Sequence, residues 1–257
     1  MIQMVNAFPQ KRHNKFLLWV ILVSCIILSA CSNIHPEQID QQECLVNDMR
    51  NAIDEGELML EFKEPLFARD VYDAYIYLYQ YDPYAIGLTK SISVKSDNDE
   101  YVNSICFSYS CSSNDIAEKR NAMNYEIDRA LTEMSIVMSA KDKASYIYSY
   151  LLNGFEYCDD SDYCNTAYSA LVEKRGNCQG LAKAFVLLCS KADIDAGYIV
   201  GTYDDIPHMW NYVNIDGMEY QYDLTKGVEE SEKYLMKELF DDNRISCQQI
   251  NYFSNIQ

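Results

Sequence analysis

Three residue types that can cooperate in nucleophilic chemistry occur in order in the second half of the chain. Cys178 lies in the run Gly-Asn-Cys-Gln-Gly, His208 in Pro-His-Met-Trp-Asn and Asp223 in Tyr-Asp-Leu-Thr. A thiol, an imidazole and a carboxylate supply a nucleophile, a base and a group that orients the base. The chain has three histidines, and the other two, His13 and His35, lie near its amino terminus. Histidine-dependent chemistry in the folded body therefore has to use His208.

The residues around Cys178 predict a helix that begins at the thiol. Asn177 is a good capping residue, and the apolar residues that follow recur at helical spacing. The unpaired amides and the positive end of the dipole at such a terminus favour an anion, which lowers the pKa of a thiol. The amide of Cys178 can also donate to an oxyanion, and we expect Gly176 and Gly180 to leave room for the backbone to approach a substrate.

A β-hairpin is predicted to bring the imidazole and the carboxylate together. Residues 208–215 and 218–225 read as two strands on either side of an Asp-Gly dipeptide, which is a strong two-residue turn signal. That turn makes His208 and Asp223 diagonal neighbours on one face, within hydrogen-bond reach. Taken singly, Cys178 fits a buried structural cysteine and His208 a satisfied strand-end histidine. Taken together, the three residues favour catalysis.

These residues belong to a longer set of motifs that resembles the transglutaminase-like superfamily, in its bacterial cell-surface branch. The resemblance covers roughly residues 113–227 and is carried by Thr166-Ala-Tyr-Ser-Ala-Leu, Gly176-Asn-Cys-Gln-Gly, Gly201, His208-Met-Trp-Asn and Asp223-Leu-Thr. It implies a papain-like cysteine-peptidase fold, with the thiol on a central helix packed on an antiparallel sheet. It also implies the nucleophile, base and orienting roles for Cys178, His208 and Asp223.

Two points of the family pattern stay open in this chain. The tryptophan often found just past the aspartate-threonine motif is absent, since Gly227 follows Lys226. The second oxyanion donor is not identified by the motifs, and Tyr168 is the candidate for it. The three-part motif is therefore the specific part of the resemblance.

The order of helical and strand patterns places the chain in the α+β class, with two domains. Residues 43–112 read as a small α+β domain, which resembles the segment that often precedes this core, and residues 113–257 as the catalytic domain. In the first domain we expect a short helix to residue 53, a strand at 58–62, a helix at 70–78 and strands at 91–94 and 101–109. In the second we expect a long helix, a helix at 140–152 capped by Ser139, a short helix at 165–172, the helix after Cys178, a strand at 197–203, the hairpin and an amphipathic helix at 229–240.

The amino terminus has the three-part layout of a secretory signal. A basic run at residues 11–15 precedes an apolar run at 16–27, which leads into Leu-Ser-Ala-Cys31. Small residues before a cysteine resemble the bacterial lipoprotein processing site, so we expect residues 1–30 to be removed, Cys31 to carry lipid and residues 31–42 to form a tether. The protein is then anchored on the extracytoplasmic face of a bacterial cell membrane. Plain secretion and an uncleaved span are the alternatives, but the apolar run is shorter than the roughly 20 residues that cross a bilayer.

The ten cysteines fall into separate groups. Cys25 leaves with the signal, Cys31 is lipidated, Cys178 is catalytic, and Cys189 lies on the apolar face of its helix, where buried free cysteine is ordinary. No paired histidines occur, so we expect neither a metal nor a cofactor. The remaining six allow fifteen connectivities in an exported protein, and two pairs among them are close in sequence, Cys106 with Cys111 and Cys158 with Cys164, beside Cys44 and Cys247.

The charge of the chain excludes one class of partner. The formal net charge of −18 makes the protein a poor nucleic-acid binder, while a hydrophobic content of 49% with 22 tyrosines is typical of a folded globular protein. The same acidity repels anionic lipid, so membrane attachment needs the anchor.

The predicted function is that of a membrane-tethered thiol enzyme. It attacks peptide or side-chain amide bonds of a protein or peptide substrate through a thioester, and hydrolysis is favoured. The alternatives are a protein-crosslinking transglutaminase, a catalytically idle peptide-binding module, and a disulfide-stapled surface protein in which Cys178 is oxidised.

Overall fold

The structure is a computed structural model that describes residues 36–83, 89–96, 100–109, 111–134, 137–159, 163–203, 205–229, 237–238 and 245–251. The described residues form two compact units, the first made of residues 36–78 and 89–109 and the second of residues 79–83 and those from 111 onward. The expected signal peptide of residues 1–30 and the lipidated Cys31 lie outside the described residues. No helix in the described part of the chain is both long and apolar enough to cross a bilayer.

The first unit combines two helices with a three-stranded antiparallel sheet in the order β1-β3-β2. The two helices and the sheet share one apolar core, in which Met49, Ala74 and Ile105 are fully buried. This is the small α+β arrangement that the sequence predicts. Its elements are α1 (Pro36–Glu55), β1 (Met59–Phe67), α2 (Ala68–Tyr81), β2 (Thr89–Lys95) and β3 (Tyr101–Tyr109).

The helix α1 and the strand β1 are both longer than the sequence predicts. The helix begins at Pro36, so residues 36–42, which we expect in a tether, are helical. Proline suits the first turn of a helix because its missing N–H would be unpaired there anyway. The strand includes Pro65 and shifts register between Glu61 and Leu66. An edge strand tolerates a proline in this way.

The second unit opens with two helices that begin at serine caps, α3 (Ser113–Thr132) and α4 (Ala140–Leu152). The Ser112 hydroxyl accepts from the Asp115 amide, and the Asp115 carboxylate accepts from the Ser112 amide, which forms a capping box. The Ser139 hydroxyl accepts from the amide of Asp142 at 3.2 Å, so the predicted cap is confirmed. A short parallel pair, β4 (Glu156–Tyr157) and β5 (Arg175–Gly176), follows, with a turn of π-helix at Ser169–Glu173 between the two strands.

The helix α5 (Cys178–Lys191) lies on a five-stranded antiparallel sheet, and its residues 180–189 are all buried. Asn211 of the sheet donates to the Ala182 carbonyl at 3.1 Å, and the rings of Phe185 and Tyr222 lie 5.1 Å apart. This is the central helix on an antiparallel sheet that the papain-like fold class implies. The sheet order is β10-β6-β7-β8-β9, from β6 (Asp195–Tyr203), β7 (Ile206–Ile215), β8 (Met218–Tyr222), β9 (Lys237–Glu238) and β10 (Ile245–Asn251).

The hairpin β7–β8 has the predicted turn and register. Ile215 pairs with Met218 across the turn, and Asp216 and Gly217 both have positive φ, 54° and 79°. Positive φ at both positions is what a type I′ turn requires, and Asp-Gly supplies it. The ladder ends earlier than predicted, however, because the chain turns into the helix α6 (Leu224–Glu229) after Asp223.

The tail of the chain differs from the sequence prediction. We expect an amphipathic helix at 229–240, but Lys237–Glu238 is a strand that pairs with β8. The strand β10 was not predicted, and it pairs with β6 along its whole length. Its sequence, Ile-Ser-Cys-Gln-Gln-Ile-Asn, has little apolar alternation, so local pattern does not identify it.

The last three residues of α2, 79–81, belong to the second unit. Their backbone carbonyls accept hydrogen bonds from side chains elsewhere in that unit. The last carbonyls of a helix have no intrahelical donor, so outside donors satisfy groups that would otherwise be buried and unpaired. Lys183 is almost completely buried, and burial lowers its pKa to about 8 although the nearby Asp82 acts in the opposite direction. The three donors are Lys183 Nζ to Tyr79 O at 2.9 Å, Gln179 Nε2 to Gln80 O at 2.8 Å and Tyr198 OH to Tyr81 O at 2.6 Å.

Removal of the Tyr198 hydroxyl is expected to destabilise the second unit. The residue is fully buried, so Tyr198→Phe leaves the Tyr81 carbonyl without this donor and should lower the free energy of unfolding by about 1–3 kcal/mol. Urea unfolding followed by circular dichroism measures the change. Tyr125→Phe is the control, because Tyr125 is 66% exposed and its variant should stay within about 0.5 kcal/mol of the wild type. Equal effects of the two substitutions would contradict the prediction.

Candidate active site

The thiol of Cys178 lies at the capped start of α5, as the sequence predicts. Asn177 is the N-cap, and its Oδ1 accepts from the amides of Gln179 and Gly180, both at 3.1 Å. Cys178 is the first residue of the helix. It is half-buried, and its thiol is not in a disulfide. The cap does not use the amide of Cys178 itself, and that amide is the donor that an oxyanion next to the sulfur would meet.

The two glycines that flank Cys178 make room for the chain itself and not for a substrate. A Cβ placed on Gly176 would lie 2.9 Å from the carbonyl oxygen of Cys164. A Cβ on Gly180 would meet the same oxygen and would lie 3.0 Å from the carbonyl oxygen of Thr166. The expectation that these glycines open the backbone to a substrate is therefore wrong, because residues 164–166 occupy the space beside both.

His208 and Asp223 are joined by a hydrogen bond. His208 Nε2 lies 2.9 Å from Asp223 Oδ2, and the His208 side chain is 9% exposed. The second carboxylate oxygen of Asp223 accepts from the amide of Lys226 at 3.1 Å, in the first turn of α6. The His208 ring stacks on Trp210 with centroids 5.4 Å apart. Both ends of the hydrogen bond are therefore held by neighbouring groups.

The electrostatics of the site favour a charged imidazole. Burial lowers the pKa of His208, but the hydrogen bonds and negative charges of Asp223 and Cys178 outweigh it and raise the pKa to about 10. Because Asp223 occupies Nε2, Nδ1 is the nitrogen left to face the thiol. The arrangement stabilises the imidazolium, whose Nδ1 proton can point towards the sulfur.

The structure thus brings together the three residues that the sequence selects, while Tyr168 has other contacts. The Lys119 ammonium lies over the Tyr168 ring, 4.1 Å from the ring centroid. Tyr157 is electrostatically coupled to Cys178, since burial and the charges of Cys178 and Asp159 raise the pKa of its phenol. Its hydroxyl donates to Asp159 at 3.4 Å. Tyr157 is 44% exposed and pairs with Gly176 in the parallel pair β4–β5. Strands of two residues carry no periodicity, so no sequence signal points to Tyr157.

One of the two close cysteine pairs is bonded. Cys158 and Cys164 form a disulfide with their Cα atoms 6.2 Å apart, whereas Cys106 and Cys111 are free thiols. Cys189 is also free, and burial raises the pKa of its thiol, in line with a structural role. Cys44 is a free, exposed thiol, and the side chain of Cys247 lies outside the described residues. Among the residues that the structure describes, no group of three His, Cys, Asp or Glu side chains is placed to hold a metal ion.

Comparison with protein families matches residues 128–223 to the transglutaminase-like superfamily. The matched stretch begins within α3, ends at Asp223 and contains Cys178 and His208. The match agrees with the resemblance that the sequence motifs carry. Among curated proteins no sequence matches the chain significantly.

Comparison with solved structures finds chains of low sequence identity and low TM-score. A TGase structure is 14% identical, with 68% of this chain and 56% of that chain covered and a TM-score of 0.36. A proposed cysteine protease from Cytophaga hutchinsonii is 16% identical, with 64% and 80% covered and a TM-score of 0.36. Menin, in a structure that reveals its binding site for the Mixed Lineage Leukemia protein, is 15% identical, with 54% and 34% covered and a TM-score of 0.38. The chain spans a little over half the length of the TGase chain.

The Asp223→Asn variant should lower the pKa of His208 from about 10 towards the ordinary histidine value of 6.5, because it removes the charge and keeps the shape of the side chain. A pKa raised by folding contributes stability that is complete below 6.5 and is lost as the pH rises through about 10. The loss of stability across that window should therefore be smaller in the variant.

Nuclear magnetic resonance titration of the His208 ring protons measures this shift, since the chain has three histidines to resolve. Asp216→Asn is the matched control, because it removes one charge from the exposed turn of the same hairpin. A His208 titration that is the same in Asp223→Asn and in the wild type would contradict the prediction.

Proposed function

Starting from the transglutaminase-like core at residues 128–223, we propose that the protein is a thiol enzyme that attacks peptide or side-chain amide bonds through a thioester on Cys178. The observation that carries the proposal is the contact of His208 with both Asp223 and Cys178, at the capped start of α5. We further propose that the enzyme is tethered by lipid on Cys31 at the extracytoplasmic face of a bacterial membrane. The tether is supported by the amino-terminal sequence alone.

The first half of the reaction makes the thioester. The Cys178 thiolate adds to the carbonyl carbon of the substrate, and a carbon–sulfur bond forms while the carbonyl oxygen becomes an oxyanion. The His208 imidazolium then gives its proton to the leaving nitrogen, and the carbon–nitrogen bond breaks. Ammonia leaves from a side-chain amide and an amine leaves from a peptide bond. The raised pKa of His208 ensures that the ring carries the proton before attack.

Asp223 supports this step through the ring and not through the substrate. Its carboxylate fixes the tautomer of His208 and stabilises the imidazolium, because Oδ2 accepts from Nε2 while Oδ1 accepts from the Lys226 amide. The carboxylate cannot rotate without breaking one of these two bonds. The imidazole therefore keeps the nitrogen that faces Cys178 in one position.

The oxyanion needs donors beside the sulfur. The amide of Cys178 is one, at the start of α5 where the helix dipole also favours negative charge. We propose the phenol of Tyr157 as the second, since Tyr157 pairs with Gly176, two residues before Cys178. Its hydroxyl donates to Asp159 at 3.4 Å in the free site and would turn to the oxyanion. Tyr168 is the weaker candidate because Lys119 covers its ring.

The second half of the reaction decides between hydrolysis and crosslinking. In hydrolysis, His208 takes a proton from water, the hydroxide adds to the thioester and the Cys178 thiolate leaves. In crosslinking, an amine such as a lysine side chain takes the place of water. We favour hydrolysis, because a lipid-tethered bacterial enzyme meets cell-wall and extracellular peptides. A catalytically idle binding module is the remaining alternative, and the contacts among the three residues argue against it, since peptide binding does not require them.

Loss of the thiol should abolish turnover. In the full chain, Cys178→Ala should lower the release of ammonia or peptides from casein by a factor of about 10⁴ or more, because no other group can form the thioester. Alkylation of wild-type Cys178 with iodoacetamide should block turnover in the same way. Cys189→Ala is the matched control, since it removes a buried cysteine from the same helix. Turnover that persists in Cys178→Ala, or after complete alkylation of Cys178, would refute the catalytic proposal.

The same assays separate the two enzyme classes. Casein is incubated with dansylcadaverine, and amine incorporation is compared with ammonia and peptide release. We expect hydrolysis to exceed incorporation. The reverse result would assign the protein to the crosslinking class and leave the roles of Cys178, His208 and Asp223 unchanged.

The two tyrosine candidates for the oxyanion site can be compared directly. Tyr157→Phe should lower kcat by about 10- to 100-fold, because it removes a donor that acts in the transition state, while KM changes little. Tyr168→Phe should leave kcat within about twofold of the wild type, since it keeps the ring that lies under Lys119. Steady-state kinetics on one peptide substrate measures both. A larger loss in Tyr168→Phe would reverse the assignment.

A further inference from the structure

The peptide unit that joins Gly176 and Asn177, one residue before Cys178, is held at both of its polar ends. Its carbonyl belongs to Gly176 and accepts from the amide of Cys158 at 2.9 Å. Its N–H belongs to Asn177 and donates to the carbonyl of Cys164, also at 2.9 Å. The two residues that hold this peptide unit are the two halves of the disulfide. We call this arrangement, Cys158 and Cys164 with the Gly176–Asn177 peptide between them, the disulfide clamp.

Both half-cystines are buried and fixed by their neighbours. Cys158 is 7% exposed and Cys164 is 1% exposed. Next to Cys158, the strands β4 and β5 pair with each other, and the Glu156 amide donates to the Lys174 carbonyl at 2.9 Å. On the Cys164 side, Thr166 donates back to the Tyr163 carbonyl through both its amide and its hydroxyl. The clamp is therefore part of a bonded framework on either side of the peptide that it holds.

The clamp also touches the first turn of α5. The Cys164 carbonyl oxygen fills the space that a Cβ would need on Gly176 and on Gly180. These glycines lie two residues before and two residues after Cys178. A movement of Cys164 would therefore change both the direction in which the chain enters the helix and the packing of its first turn. The sulfur of Cys178 and its amide would move with them.

The disulfide closes a short loop, because the sequence separation of Cys158 and Cys164 is 6. The entropy that a crosslink removes from the unfolded state grows slowly with the length of the loop, so a short loop lies at the low end of that effect. Stability and positioning are therefore measured separately in the test below.

We propose that the Cys158–Cys164 disulfide is a positioning element for Cys178, which holds the nucleophile and its amide in register with His208 by fixing the Gly176–Asn177 peptide. The proposal rests on the proposed function, since it assumes that Cys178 is the nucleophile. Tyr157 precedes Cys158 directly and pairs with Gly176, so the clamp also fixes the backbone of Tyr157. Misplacement of a reacting group by about 1 Å can cost on the order of 100-fold in rate.

The experiment replaces both half-cystines in the full chain and follows Cys178 alone. Oxidised wild type and Cys158→Ser/Cys164→Ser are alkylated with iodoacetamide across pH, and the peptide that contains Cys178 is quantified by mass spectrometry. Near neutral pH the alkylation rate and kcat of the double variant should fall by about 10- to 100-fold, with KM little changed. At alkaline pH, where any thiol ionises, the two alkylation rates should converge.

Two further variants separate positioning from stability. Cys189→Ala leaves a cavity in the same helix away from the clamp, so it should lower the melting temperature without shifting the alkylation profile. Gly176→Ala presses a Cβ against the Cys164 carbonyl and keeps every cysteine, so it should shift the profile in the same direction as the double variant. Gly176→Ala decides the question if the double variant does not fold.

The outcomes distinguish the clamp from the proposed function. An alkylation profile that stays unchanged in a folded double variant, or in Gly176→Ala where the double variant is unfolded, overturns the clamp. The dependence of turnover on Cys178 is then unaffected. Turnover that survives Cys178→Ala overturns the proposed function, and with it the catalytic meaning of the clamp. A profile shifted as far by Cys189→Ala as by the double variant would show that lost stability is the cause, which also overturns the clamp.

Discussion

The hydrogen bond between His208 Nε2 and Asp223 Oδ2 determines what the rest of the site can do. Burial alone would lower the pKa of His208 and leave a neutral ring beside the thiol. The carboxylate reverses that effect, and it can do so only because β8 ends at Tyr222 and the chain turns into α6. Asp223 therefore forms two hydrogen bonds. One is to His208 on strand β7, and the other is accepted from the amide of Lys226 in helix α6. The change from strand to helix at this residue makes the charged imidazole stable.

Much of this geometry could be predicted because it depends on local chemistry. The Asp-Gly pair requires positive φ at two successive positions, and that requirement sets the register of β7 on β8 and the face that His208 shares with Asp223. Asn177 caps α5 for an equally local reason, since its side chain reaches the amides two and three residues ahead. Long apolar periodicity identified α5 itself. The helix on the sheet and the proximity of His208 to Asp223 therefore followed from the sequence.

The features that could not be predicted depend on contacts between segments distant in the chain or too short to carry a pattern. Gly176 and Gly180 show that space is needed beside them, but a glycine does not show whether a ligand or the chain fills that space, and here Cys164 fills it. The pairs β4–β5 and β8–β9 involve strands of two residues, which have no period to detect. The six candidate cysteines allowed many pairings, and the choice of Cys158 with Cys164 follows from the fold that brings both to one peptide.

The residues directly before and after Cys178 are both held by hydrogen bonds to groups outside the proposed triad. On one side, the amide of Asn177 is bonded to Cys164, and on the other the side chain of Gln179 is bonded to the Gln80 carbonyl at the end of α2. The residue between them can change rotamer, but its backbone cannot shift without breaking one of these bonds. In the proposed reaction, Cys178 has to meet both an imidazole nitrogen and a substrate carbonyl, and it gains more from a fixed backbone than from a reactive thiol alone, because near-attack geometry is lost over about 1 Å. Whether water or an amine would then accept the acyl group depends on what reaches the thioester, so this backbone would serve the two proposed reactions equally.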